Sequence, residues 1–377
     1  MARKLKSDKL LFTATLLLVC TSVVMVYSAS AVVARENNHD PYLFLFKQGT
    51  WALLGLCLAP LVMRIDYRLY RQPLVIWAGL AVATLALLAV LFGHPIKGAT
   101  RWLSLGPLGV QPSEFAKIVV VLFIAALLER RMDRIDDAPY ALLPIGIVLG
   151  VFVGLILAEP DLGTSVVIVT IAAIMIFAAG ISYRYVVGIF LAALPALYFL
   201  LMTSEYRWRR VTAFLDPWAD PLGASFQMIQ SMIAVGTGGI FGRGLMGGVQ
   251  KLFYLPEPHN DFIYAVIGEE LGLMGASVVL ACFCVITWRG LRTSMRAPDR
   301  FGALVALGLT TMVAFQAFFN ISVVLGLLPT KGIPLPFVSY GGSSLLINLV
   351  GMGILLNVSQ HASSACIVTT AMTAPDA

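Results

Sequence analysis

Long apolar runs recur from one end of the chain to the other, separated by short polar segments. About 20 apolar residues in a helix cross the roughly 30 Å of hydrocarbon in a bilayer. In lipid such a run must be helical, because only a helix or a closed barrel satisfies its own backbone amides. Ten spans are predicted, at about 10–33, 43–63, 73–92, 112–128, 140–158, 164–181, 185–203, 262–287, 301–324 and 343–360. The first follows Arg3, Lys4, Lys6 and Lys9 and imitates a signal peptide, but it is too long for one and is read as an uncleaved span.

The stretch from about Ser204 to Asp261, between the seventh and eighth spans, is the one long connection. Loops this long in compact proteins are functional or disordered. This one mixes glycines with Trp208, Phe214, Trp218, Phe226, Phe241 and Phe253, so an ordered loop is expected. The chain therefore reads as an all-α integral membrane protein with ten transmembrane helices. Residues 1–361 form a single polytopic domain, with an extracytoplasmic loop at about 204–261, and 362–377 form a flexible cytoplasmic tail.

Composition narrows the class further. Of 377 residues, 59% are hydrophobic and 12% charged, against about 25% charged in soluble proteins. Too few charges remain to coat soluble domains of this total length. The net charge of +6 has a topological explanation. With the N-terminus inside, fifteen basic residues fall in inner segments and four in short outer ones, which favours both termini inside. No basic run is interleaved with exposed aromatics, so nucleic acid is not an expected partner. The five cysteines have neither metal-ligand nor disulfide-framework spacing.

The remaining polar residues gather toward the outer side. Lys97 and Arg101 precede Gln111-Pro112-Ser113-Glu114, and Glu114 and Lys117 are neighbours on one helix face. Ionisable groups at membrane depth are costly and face cavities or each other, so this pair reads equally as a structural ion pair or as part of a site. Glu159-Pro160-Asp161-Leu162-Gly163-Thr164 reads first as a turn with a helix cap. Asp261, in His259-Asn260-Asp261-Phe262, is either the N-cap of the eighth span or a general base beside a cavity. Glu269 and Glu270 read as helix–helix hydrogen bonders. The run Pro329-Thr330-Lys331-Gly332-Ile333-Pro334-Leu335-Pro336-Phe337-Val338-Ser339-Tyr340-Gly341-Gly342 forbids regular helix, and Lys331 could hold a phosphate as a point charge.

These motifs together resemble the SEDS (shape, elongation, division, sporulation) family. The resemblance rests on Arg210 with Ala213-Phe214-Leu215-Asp216-Pro217-Trp218, on Gln111-Pro112-Ser113-Glu114, on Pro160-Asp161-Leu162-Gly163-Thr164, on Gly268-Glu269-Glu270-Leu271-Gly272, and above all on the run from Pro329 to Ser344. It spans about residues 10–360, and Lys331 is closer to the cell-division branch or its sporulation relative than to the elongation branch. Asn260 stands where Thr is usual, Met246 interrupts a Gly-Leu-Gly run, and the tail lacks its usual basic residues.

The resemblance implies a peptidoglycan glycosyltransferase of the bacterial inner membrane, acting at the division septum. Such an enzyme polymerises lipid II into β-1,4 glycan strands and releases undecaprenyl diphosphate. It also implies a class B penicillin-binding transpeptidase and other division proteins as partners. The family's essential carboxylate falls on Asp261. Forming a β bond from an α-linked diphosphate is a single inverting displacement, for which the acceptor hydroxyl needs a base. Asp261 is assigned that role, with Glu114 positioning Lys117 or sharing it. Lys97, Arg101, Lys117, Arg210, Arg243, Lys331 and Ser339 are the expected substrate-binding residues. The leaving diphosphate is to be stabilised by these basic groups or by a divalent cation, magnesium or manganese. The competing readings are a flippase of lipid-linked precursors, which would also need buried charges, and a scaffold for a transpeptidase.

Overall fold

The computed structural model describes residues 7–36, 40–93, 101–105, 108–135, 137–203, 205–223, 225–252 and 254–372. Among them, helices fall on all ten apolar runs. They are α1 (Lys9–Glu36), α2 (Leu43–Arg64), α3 (Pro73–Leu91), α4 (Pro112–Arg131), α5 (Ala138–Ala158), α6 (Leu162–Ala178), α7 (Tyr183–Met202), α10 (Ile263–Arg296), α11 (Arg300–Val324) and α12 (Gly342–Met372). Among its described residues the long connection contributes α8 (Glu205–Leu215) and α9 (Phe226–Gly238). Seven of the described helices (α1, α2, α3, α5, α10, α11 and α12) are long and apolar enough to cross a membrane, and α6 is a shorter apolar helix. The chain is a multi-pass membrane protein.

Local sequence explains where the helices begin. Proline opens α3 at Pro73 and α4 at Pro112, where its missing N–H is no loss. Aspartate caps two others: Asp161 accepts from the Thr164 amide at 3.2 Å, and Asp299 from the Gly302 amide at 2.7 Å.

One feature departs from the all-α reading. Leu103–Leu105 (β1) and Leu108–Val110 (β2) pair antiparallel, with Leu103 opposite Val110 and Leu105 opposite Leu108. The segment is short and carries glycine and proline (Gly106, Pro107, Gly109), which disfavour a helix, so a ladder satisfies its amides. At the C-terminus α12 runs on to Met372.

Burial sorts the helices into an inner and an outer set. α11 and α12 bury most of their apolar length inside the protein, whereas α3 and α5 leave most of theirs exposed. In water that exposure would be ruinous; facing lipid tails it costs nothing. α2 and α12 approach closely through small residues, as a Cβ on Gly55 would strike Leu349 and one on Gly342 would strike Trp51.

The most constrained helix is α10, which is broken at Gly272 (φ 67°, ψ −167°). Only glycine reaches that conformation cheaply, and a Cβ there would also collide with the Gly242 amide. The break frees backbone groups that the segment after α9 takes up. The amides of Arg243 and Gly244 donate to the carbonyls of Glu269 and Glu270, each at 3.0 Å, and the Leu273 amide donates to the Gly239 carbonyl at 2.9 Å.

Both glutamate side chains, fully buried, clamp the same segment. Glu269 accepts from the Val249 amide at 2.8 Å and the Gln250 amide at 3.1 Å, with Arg243 3.7 Å away. Glu270 accepts from Lys251 Nζ at 2.5 Å, Ser28 Oγ at 2.7 Å and the Met246 amide at 3.1 Å. The helix–helix reading thus holds for Glu270, which bonds Ser28 on α1, while the remaining partners of the pair lie in the loop.

Removing one member of a buried ion pair strands the other charge, at a cost of about 3–5 kcal/mol. Glu270→Ala is therefore expected to lower the melting temperature of the detergent-purified protein substantially. Glu205→Ala, which breaks an exposed pair with Arg209, is expected to leave it nearly unchanged. Equal melting temperatures for Glu270→Ala and the parent would refute the clamp.

Candidate active site

A cavity of about 590 Å³ opens at the end of the bundle where α4 and α10 begin. Its floor holds Glu114 on α4 and Gln316 on α11. One wall holds Arg101, Trp102 and Asp161, and the facing wall Lys47 and Trp51 of α2 with Tyr340. Asn260, Asp261 and Gly332 to Pro334 close it over.

Asp261 sits where two irregular segments meet. Phe262, not Asp261, occupies the N-cap position of α10, and its side chain makes no cap bond. The N-cap reading of Asp261 is thus corrected: its carboxylate is free of the helix end and lines the cavity. Asn320 on α11 holds both segments, donating from Nδ2 to the Asp261 carbonyl at 2.7 Å and the Ile333 carbonyl at 2.8 Å. Ser339 Oγ donates to the Asn260 carbonyl at 2.6 Å while accepting from the Leu335 amide at 2.8 Å. The Tyr340 amide donates to the His259 carbonyl at 2.9 Å. Gly332 is required by close approach, because a Cβ there would lie 2.6 Å from Asp261 Oδ2.

The electrostatics around Asp261 are opposed. Burial pushes its pKa up, Glu257 and Asp161 add to this as like charges, and the guanidiniums of Arg210 and Arg101 pull it back, leaving it at about 6. A carboxylate so placed is ionised at neutral pH yet basic enough to take a proton.

The other expected residues divide. Glu114 faces the cavity and accepts from Lys117 Nζ and Ser344 Oγ, each at 2.9 Å. Lys117 lies behind it, almost wholly buried, and also donates to Gln316 Oε1 at 2.8 Å. Its charge is spent holding Glu114, which is the ion-pair reading of that motif. Arg101 lines the cavity and donates to the Glu159 carbonyl at 3.1 Å and the Pro160 carbonyl at 2.6 Å. Arg210 donates to the Thr330 carbonyl at 2.9 Å, tying α8 to the segment that carries Lys331 and Gly332. Arg243 is drawn to Glu269 instead and belongs to the clamp at the α10 break. Ser339 is buried and acts as a brace between the two segments. Lys97 falls outside the described residues.

Asp161 is a cap and a cavity residue at once: Thr164 Oγ1 donates to it at 2.8 Å, and it shares the wall with Arg101. Sequence reasoning missed Lys47, Trp51, Gln316 and Asn320. A signal existed for three of them. Lys47, Gln316 and Asn320 are polar residues set inside apolar helices, each a default site candidate.

This architecture defines a class: a multi-pass membrane protein with a charged, part-enclosed site at the end of its helix bundle. A family model described as "Cell cycle protein", covering FtsW, RodA and SpoVE proteins, matches residues 8–364. The chain belongs to this family, the SEDS proteins. It is 44% identical over 363 residues to the probable peptidoglycan glycosyltransferase FtsW of Geobacter sp. (strain M18), covering 95% of this chain and 98% of that one. It is 42% identical over 365 residues to stage V sporulation protein E of Bacillus subtilis (strain 168), covering 95% and 98%. Among solved structures it resembles a chain from a study titled "Structural coordination of polymerization and crosslinking by a peptidoglycan synthase complex" (TM-score 0.79, 33% identity, 95% of this chain and 99% of that one). It also resembles the rod shape determining protein RodA of Thermus thermophilus (TM-score 0.69, 29% identity, 94% and 97%).

One buried acid stands apart from these bonds. Glu159 is fully buried, and neither carboxylate oxygen has a hydrogen-bond partner among the described residues. Burial first and Asp161 second raise its pKa to about 8 against the pull of Arg101. Its folded-state pKa thus lies above the unfolded value near 4.5, so the folded form is favoured below about pH 4.5 and loses that advantage as pH climbs toward 8. Glu159→Gln is expected to flatten the fall in melting temperature between those limits, with the variant gaining on the parent as pH rises. Parallel curves for the two proteins would show that Glu159 is ionised throughout.

Proposed function

We propose that this chain is a peptidoglycan glycosyltransferase that polymerises lipid II into β-1,4 glycan strands, releasing undecaprenyl diphosphate. The observation that carries the reading is Asp261, a carboxylate tuned to about 6 at the roof of a charged cavity. Its FtsW-named relatives add support. In the proposed topology ten helices cross the membrane with both termini inside, so the cavity faces out, where the lipid-linked sugar is presented. The proposed setting is the division septum, with a class B penicillin-binding transpeptidase as partner.

In the transfer step the acceptor 4-hydroxyl attacks the anomeric carbon of the donor sugar from the face opposite the diphosphate. The carbon–oxygen bond to phosphate breaks with its electron pair going to the diphosphate, and the configuration inverts. Asp261 takes the hydroxyl proton. Arg101, Lys47, Arg210 and Lys331 supply positive charge for the leaving group. Glu114, steadied by Lys117 and Ser344, orients the acceptor from the floor. Trp51 and Trp102 offer apolar faces to the sugar rings. A diphosphate leaves without acid assistance.

Among the described residues no three His, Cys, Asp or Glu side chains are grouped to hold a metal ion. A divalent ion would have to complete its shell from phosphate oxygens, and no step here depends on one. The floor also favours transfer over transport. One to two turns further along α4 and α11 from Glu114 and Gln316, the buried Ile118, Leu309 and Met312 gather about Gly351, so the layer next to the floor is apolar.

The decisive measurement is glycan-strand formation by the purified full-length protein given lipid II, with and without a class B transpeptidase. Asp261→Asn is expected to lower the rate by roughly 10²-fold or more. Asp261 works when deprotonated, so the rate should rise through about pH 6 and level off above it. Glu257→Gln removes a like charge and should move that rise to lower pH. No polymer under either condition would end the enzyme reading; full activity in Asp261→Asn would remove Asp261 as the base.

A further inference from the structure

A second charged cavity lies at the opposite end of the bundle. It holds about 50 Å³ and is lined by Asp8 before α1, by Arg289, Arg292, Thr293 and Arg296 at the end of α10, and by Ser359 on α12. A water-sized particle needs about 10–15 Å³ of such space, so the cavity has room for about four oxygen-sized atoms, the number in a phosphate group. Along α10, Arg292 lies roughly 40 Å or more from Asp261 at 1.5 Å per residue. That exceeds the roughly 30 Å of hydrocarbon, so this cavity sits at the other membrane surface.

The charges in it are unbalanced. Arg289 is matched by Asp8, with Nε 2.6 Å and Nη2 2.5 Å from Oδ2. Arg292 and Arg296 have no carboxylate partner among the described residues, although other arginines at this end do: Arg68 pairs with Asp299, Arg71 with Glu129 and Arg300 with Asp133. Positions 289, 292 and 296 share one helix face. Trp288 beside them is more than half exposed, and Arg289 and Arg292 lie 5.5 and 6.0 Å from its ring. An exposed indole flanked by guanidiniums is the arrangement found where a helix leaves the hydrocarbon for the headgroups.

We propose that this cavity is a binding site for a phosphate group, carried by an anionic phospholipid. Arg292 and Arg296 grip the phosphate oxygens in the paired geometry that guanidinium allows. Asp8 holds Arg289 in place and limits its share of the charge. Trp288 lies along the upper acyl region. A general excess of basic residues at one membrane face explains arginines at this end, but not a cavity walled by the unpaired ones.

The test uses the full-length protein in detergent, with bound lipids read by native mass spectrometry. Phosphatidylglycerol and phosphatidylethanolamine are titrated separately, and inorganic phosphate is titrated in a parallel thermal-shift series. Phosphatidylglycerol is expected to bind in preference, with about a tenfold loss of affinity in the Arg292→Gln/Arg296→Gln double variant. The Arg71→Gln/Arg300→Gln variant, equal in charge but outside the cavity, should stay within about twofold of the parent. Equal losses in both variants, or none in the first, would overturn the site. Stabilisation by inorganic phosphate alone, without a preference for phosphatidylglycerol, would overturn the lipid as its source.

Discussion

Where α10 breaks at Gly272 there is no bulk water to receive the backbone groups that come loose, and this one constraint organises the functional half of the molecule. The segment from Gly239 to Lys251 takes up the freed carbonyls, and the side chains of Glu269 and Glu270 then bind its amides and Lys251. Each contact satisfies a group that would otherwise be costly to bury. Their joint effect is to lock a long loop to the helix that begins beside Asp261. The acidic pair is thereby structural, although it lies only a few turns from the cavity.

The cavity depends on that rigidity because its charges act at short range and in partial enclosure. Asp261 is poised by two opposing pairs, Glu257 and Asp161 against Arg210 and Arg101, so a small displacement of either would move its proton affinity. Asn320, Ser339 and the Tyr340 amide restrain the two segments that carry it. Glu114 is restrained by Lys117 on its own helix, which also bonds Gln316 on α11, and by Ser344 on α12. The acid expected to move a proton and the acid expected to orient a substrate thus share α11 as a support, through Asn320 and Gln316 one turn apart.

Much of this was legible before any coordinates. The ten apolar runs all became helices, Pro112 opened α4, Asp161 capped α6, and Glu114 paired with Lys117. Motif resemblance placed Asp261 and Glu114 in one site, and both line the cavity. Other expectations shifted. Asp261 left the N-cap to Phe262, and Arg243 went to Glu269 rather than to the site. A short antiparallel strand pair stands before α4, and Lys47 and Trp51 joined the cavity from α2, none of them foreseen.

The division has a physical cause. Hydropathy is local and additive, so the sequence by itself determined the membrane class, the place of each helix and the residue types able to do chemistry. A charge's partner is not local. Arg210 and Arg243 are both arginines of the same loop, yet one ties α8 to the segment over Asp261 and the other pairs with a buried glutamate. Only the packing of α2, α4, α10, α11 and α12 decided which charges share the cavity. In a low-dielectric interior every buried ion must be matched by whatever the fold brings near.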